Sequence, residues 1–131
     1  MTTRQKLKTV LYSLLFLTLF ILLGFWLYYT SLQTRDYQRL ADLKLIQEEF
    51  NRYYAIYATF EVAGCRLNEP ISGCFSNFSP NVITDPLNTG AYRYLVRSLA
   101  EDNYEIEFSF EVGLTGVQSG TYILTKNGIR R

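Results

Sequence analysis

Between Thr9 and Thr34 the chain carries no charged side chain, and Val10 to Tyr29 consists almost wholly of Leu, Phe, Ile, Val, Trp and Tyr. A helix rises about 1.5 Å per residue, so a segment of this length covers about 30 Å, the thickness of a bilayer's hydrocarbon core. Its eight leucines, three phenylalanines, Ile21 and Val10 each gain roughly a few tenths of a kcal/mol in lipid. That outweighs Ser13, Thr18 and Gly24 and sums to roughly several kcal/mol in favour of insertion. A membrane-spanning helix over 10–29 is therefore the element to which the rest of the chain must attach.

The flanking charges set its direction. Arg4, Lys6 and Lys8 precede the span, and no acidic residue occurs before Asp36. Short tails rich in Lys and Arg stay on the cytoplasmic side, which predicts a cytoplasmic basic tail at 1–9 and an extracytoplasmic domain at 30–131. Phe25, Trp26, Tyr28 and Tyr29 crowd the outer end, where amphipathic rings favour the headgroup region. The alternative is a cleaved secretory signal. The apolar run is longer than a usual signal core, and the exit at Tyr28 to Leu32 has no small-residue cleavage pattern.

The hundred or so residues beyond the span suffice for one compact core. They hold all twelve acidic residues and ten of the thirteen basic ones, a formal charge of −2 against +3 for the tail. No electrostatic footprint for nucleic acid is present in that balance. Cys65 and Cys74 lie in a segment punctuated by Gly64, Pro70 and Gly73. Outside the cytoplasm such a pair forms a disulfide, and closing this loop would stabilise the fold by about 2–3 kcal/mol through lost chain entropy. Two thiols in a chain without histidine make at most half a zinc site.

Past the membrane the helical period continues. Tyr37, Leu40, Leu43, Ile46, Phe50, Tyr53 and Tyr57 fall three or four residues apart on one face, with Arg35, Asp36, Arg39, Asp42, Glu48, Glu49 and Arg52 on the other. No proline precedes Pro70, so a single helix from about Val10 to about Ala58 is expected; a break at Thr30 to Gln33 is the alternative. Pro70, Pro80 and Pro86 with Gly64, Gly73 and Gly90 make 65–90 an irregular connection.

The period then changes to two. Tyr92, Tyr94 and Val96 alternate with Arg93, Leu95 and Arg97, and Tyr104, Ile106, Phe108, Phe110 and Val112 alternate with Glu105, Glu107, Ser109 and Glu111. This is the pattern of half-buried strands, with the glutamates on a solvated outer face. Pairing of odd with odd residues, for example Arg97 opposite Glu105, keeps the apolar row inside. A turn within 113–120, a strand over 121–126 and the Asn127-Gly128 turn signal follow. The expected fold class is α+β: one long N-terminal helix, half membrane-spanning and half amphipathic, packed on a three- or four-stranded antiparallel meander.

At these positions the chain resembles the type IV pilins and type II secretion pseudopilins. The likeness lies in Arg-Asp-Tyr-Gln-Arg-Leu-Ala-Asp-Leu-Lys-Leu-Ile-Gln over 35–47, with Phe50 and Tyr53-Tyr54 behind it, and in Thr84-Asp-Pro-Leu-Asn-Thr-Gly90 leading to Tyr92-Arg-Tyr94. Tyr104-Glu-Ile-Glu-Phe and Gly120-Thr-Tyr-Ile-Leu-Thr continue it. The resemblance implies a pilin-like fold and a filament subunit whose partners are like subunits or other pilin-like proteins, packed through the membrane helix, where Leu15, Leu19 and Leu22 are the candidate packing residues. The chain departs from the family where members carry a leader glycine and then Phe-Thr-Leu-Ile-Glu: Arg4-Gln-Lys-Leu-Lys-Thr-Val10 has neither glycine nor glutamate. A non-polymerising, membrane-anchored interaction module is therefore the rival, and a soluble domain released by signal cleavage a third reading.

Some pseudopilins bind calcium near their Asp-Pro segment. Here Asn81, Asp85, Asn88 and Asp102 carry oxygens of the hard type, with Asp85 and Asn88 the metal candidates, but the carboxylate count is far below the six to eight oxygen ligands calcium takes, so no cofactor is expected. The chain has no histidine and no Gly-rich phosphate loop after a strand, so neither an enzyme nor a small-molecule substrate is expected.

Overall fold

The computed structural model describes residues 3–80 and 82–131, the side chains of Thr3 and Arg4 excepted. Its elements are helix α1 (Thr3–Tyr57), a 3-10 turn (Ile71–Gly73) and strands β1 (Leu95–Leu99), β2 (Tyr104–Leu114), β3 (Val117–Thr125) and β4 (Gly128–Arg130). The chain divides into two compact units, 1–32 and 33–131. The first is the apolar part of α1, long and apolar enough to cross a membrane. Helical structure continues through Thr30 to Gln33, so the expected alternative of two helices does not arise.

In the second unit α1 packs on an antiparallel meander of order β1-β2-β3-β4. Leu43, Ile46 and Phe50 from the helix meet Val96, Tyr104, Ile106, Phe108, Phe110 and Leu124 from the sheet in one core. The Phe50 and Tyr104 rings stack with centroids 4.0 Å apart, and Phe60 and Phe75 meet Phe50 edge-on. Such ring pairs add about 0.5–1.5 kcal/mol each beyond the area they bury. The helix ends where Ala58 enters the left-handed region at φ 55° and donates its N–H to the Tyr54 carbonyl at 2.8 Å, a left-handed cap.

The buried helix face differs from the one expected. Its fully buried positions are Asp36, Arg39, Leu43, Ile46, Glu49 and Phe50, whereas Tyr37 and Tyr57 are exposed. The seam is thus rotated by about one residue at its membrane-proximal end, and three charged side chains expected in solvent lie inside.

The sheet register also differs in one place. Leu95 opposes Glu107, odd with odd as expected, and Val96 opposes Ile106 in the same register, but a bulge then makes Ser98 the partner of Glu105. Arg97 is the extra residue of that bulge, so it is not opposite Glu105. It forks onto Glu107 instead, at 3.0 and 2.8 Å, while Arg130 from β4 takes Glu105. Tyr92 and Arg93 precede β1 and lie outside the sheet. The turn expected within 113–120 contracts to Thr115 and Gly116, flanked by the pair Leu114 and Val117. The hairpin instead stores a second bulge between Phe110 and Gly113, and this bulge shapes the site described next.

Candidate functional site

In the first unit the side chains of Leu15, Leu19 and Leu22 are all more than 60% exposed, as are those of Phe16, Phe20 and Ile21. An uncharged surface of this kind is stable only against lipid or another apolar helix. Lys6 and Lys8 are exposed at its start. The side chain of Arg4 lies outside the described residues.

In the second unit, a buried charge network joins the helix to the sheet. Arg39 is fully buried and donates four hydrogen bonds to three carboxylates: Nε to Asp85 Oδ2 at 2.6 Å, Nη2 to Asp85 Oδ1 at 3.0 Å, and Nη1 to both Asp36 Oδ1 and Glu111 Oε1 at 2.7 Å. The Tyr92 ring lies under the guanidinium, 4.9 Å from centroid to carbon. Arg35 forks onto Glu111 from the other side, at 2.7 and 2.6 Å. Two guanidinium groups thus face three carboxylates.

The excess negative charge is met by the backbone. Asp36 accepts hydrogen bonds from the N–H groups of Glu111, Val112 and Gly113, each at 2.9 Å. These successive donors converge because the β2 bulge turns them the same way, making a small anion-binding concavity filled by a side chain of the same molecule. Gly113 has φ 83°, and a Cβ there would sit 2.2 Å from the Val117 carbonyl oxygen, so the bulge admits only glycine.

Burial opposes the charge on Arg39, but its hydrogen bonds to Asp85, Glu111 and Asp36 outweigh that and raise its pKa. Arg35, and against the opposing effect of burial also Arg39, hold the Glu111 carboxyl below the usual range. One turn along the helix, burial pushes Asp42 up despite the hydrogen bond it accepts from Tyr94 at 2.7 Å. Every carboxylate oxygen of Asp85 and Glu111 accepts from a guanidinium, so the network is a clamp between helix, turn and sheet.

This corrects one expectation. Glu111 is not on a solvated face; its side chain is 8% exposed. Of the calcium candidates, Asp85 has both oxygens on Arg39, and the N–H groups of Leu87 and Asn88 donate to one of them. Asn88 is a turn residue at φ 49°, its carbonyl accepting from Arg93 Nε. Asp102 lies exposed between β1 and β2, and Asn81 is outside the described residues. Among the described residues no group of three or more His, Cys, Asp or Glu could hold a metal.

Cys65 and Cys74 are joined as a disulfide, with Cα atoms 4.2 Å apart. Beside it a cleft of about 230 Å³ is lined by Tyr53, Tyr57, Val62 to Gly64, Cys74, Asn77 and Phe78. No wall residue carries a charge. No family model, curated protein or solved structure matches the chain. The α+β layout, a long apolar N-terminal helix with an antiparallel sheet, is compatible with the pilin-like plan.

Proposed function

We propose that the protein is a membrane-anchored, pilin-like structural subunit that assembles through its N-terminal helix into a filament of the type IV pilus or type II secretion kind. The observation that carries this reading is the fully exposed, uncharged helix surface over 10–29, in a chain whose helix then closes the core of an antiparallel sheet. The basic residues before the span put the N-terminus in the cytoplasm and the sheet domain outside. Its partners are the membrane and like subunits or other pilin-like proteins; no nucleic acid and no catalysis enter this role.

A second reading, a non-polymerising anchored module, is favoured by one feature: no acidic residue interrupts 10–29, so the span offers no carboxylate for a neighbour's amino terminus. A photo-crosslinking residue placed at Leu15, Leu19 or Leu22 in native membranes separates the two. A ladder of oligomers that disappears when the other two leucines become alanine supports the filament subunit. A single crosslink to a different protein, unaffected by those changes, supports the anchored module.

A further inference from the structure

The edge of the sheet at β1 is covered by a segment that the disulfide closes into a loop. Within the 65–74 loop, Asn68 donates its N–H to the Val96 carbonyl at 2.7 Å, Val96 donates to the Glu69 carbonyl at 3.0 Å, and Ile71 donates to the Tyr94 carbonyl at 2.8 Å. Pro70 opposes Leu95 in an antiparallel bridge. The segment therefore acts as a strap over an edge that would otherwise present free backbone groups. Proline suits its outer side, having no N–H to offer a further strand.

The attachments of the strap are few. Asn68 stands at φ 64°, with its side chain held by Arg97 at 2.6 Å. The Arg66 to Glu69 ion pair is long, at 3.8 Å, and well exposed, so it contributes little. Ile71 is buried in the core and holds one end. Towards the other end Arg66, Leu67, Asn68, Glu69 and Pro70 are all exposed, and the chain is next buried at Val62, ahead of Cys65. Besides the hydrogen bonds that join Asn68 and Glu69 to Val96, the covalent tie between the two limbs of the strap is the Cys65 to Cys74 bond. Gly64 sits where the limbs cross, and a Cβ there would lie 2.7 Å from the Cys74 carbonyl oxygen.

We propose that the disulfide is a redox latch on the β1 edge: oxidised, it seals the edge with the strap; reduced, it lets the 66–70 segment lift while the sheet stays folded. The chemistry is thiol–disulfide exchange. A dithiol reductant attacks one sulfur, the S–S bond breaks, Cys65 and Cys74 each gain a hydrogen, and the reductant leaves as its cyclic disulfide, two electrons having passed to the protein. Cys65 is partly buried and Cys74 almost wholly so, which makes Cys65 the more accessible of the two residues.

Amide hydrogen exchange on the full chain in detergent micelles, with and without dithiothreitol, tests this. Free-thiol titration of the same sample verifies reduction. The amides of Asn68 and Val96 should exchange faster after reduction by on the order of a hundredfold, the loop-closure effect of a ring this size, while Ile71, Phe108, Phe110 and Leu124 keep their protection. Unchanged exchange at these two amides with both thiols titrated would overturn the latch. So would a parallel rise at all six, which would make the bond a global staple. A C65S/C74S double variant that matches the reduced pattern without reductant supports the latch independently.

Discussion

Arg39 and Asp85, distant in sequence, meet as a bidentate guanidinium–carboxylate pair buried completely from solvent. The pair ties the amphipathic part of α1 to the turn that leads toward the sheet, and through Glu111 the same guanidinium reaches β2. Helix, turn and sheet are therefore joined at one charged point as well as by the apolar core. A buried pair of this kind adds little net stability relative to apolar packing, but removing one partner leaves the other charges unpaired in a dry site.

Arg39→Ala should accordingly cost about 3–5 kcal/mol, since it strands Asp36, Asp85 and Glu111 together. For a domain of about a hundred residues that lowers the melting temperature by more than about 12 °C. Arg39→Lys keeps the charge without the fork and should cost about 1–3 kcal/mol. Thermal melts followed by circular dichroism in detergent would measure both, and a loss below about 1 kcal/mol for the alanine variant would show that the clamp is not structural.

Asp36→Ala removes the acceptor of three backbone N–H groups at the β2 bulge and should cost about 3 kcal/mol or more, at about 1–3 kcal/mol for each donor left unpaired. Gly113→Ala attacks the same bulge from the other side, through contact with the Val117 carbonyl. The two losses should be less than additive when combined, because either change dissolves the same concavity. A denaturant-melt double-mutant cycle reads this directly, and full additivity would refute the shared mechanism.

Period-two alternation from Tyr104 to Phe110 and the apolar helix positions 43, 46 and 50 made the helix-on-meander fold legible, because burial of one face dictates both patterns. The charge clamp was not legible, because periodicity assigns every charged residue to water. Asp36 and Arg39 point inward only because their partners Asp85 and Glu111 come from distant segments, and pairing across that separation leaves no local pattern. Glu111 was assigned outward by alternation that the bulge before Gly113 interrupts; the glycine, within a run of strand-forming residues, was the available sign of a bulge. The same limit applies to Arg97, whose bulge shifts the register by one residue.

Acid should weaken the fold through Glu111. Its folded pKa lies below its ordinary 4.5, depressed first by Arg35, so its contribution is fully present above pH 4.5 and is lost as pH falls through the depressed value. Asp42 acts with the opposite sign. Burial raises it above its ordinary 3.8, so its contribution is present below that value and is lost as pH rises through the raised one. Glu111→Gln should flatten the acid limb of stability against pH, and Asp42→Asn should steepen the net rise by removing the opposing contribution. Denaturant midpoints between about pH 3 and 7 measure both slopes; an unchanged acid limb in the Glu111 variant would count against this assignment.

Tyr104 offers a test of the core with the opposite direction of effect. Its side chain is buried and its ring stacks on Phe50, but its hydroxyl meets no hydrogen-bond geometry with a partner among the described residues, and the nearby amide of Gln47 is turned to the Thr125 carbonyl at 3.4 Å. Burial pushes the phenol up to about 12, with a smaller opposing effect from Gln47. A buried polar atom without a partner costs about 1–3 kcal/mol, so Tyr104→Phe should raise stability by about 1 kcal/mol while leaving the ring stack in place. It should also remove one tyrosine from the high-pH end of the ultraviolet ionisation curve. A drop in stability on this substitution would mean that the hydroxyl is bonded in the folded state, and the amide of Gln47 would then be the group to change next.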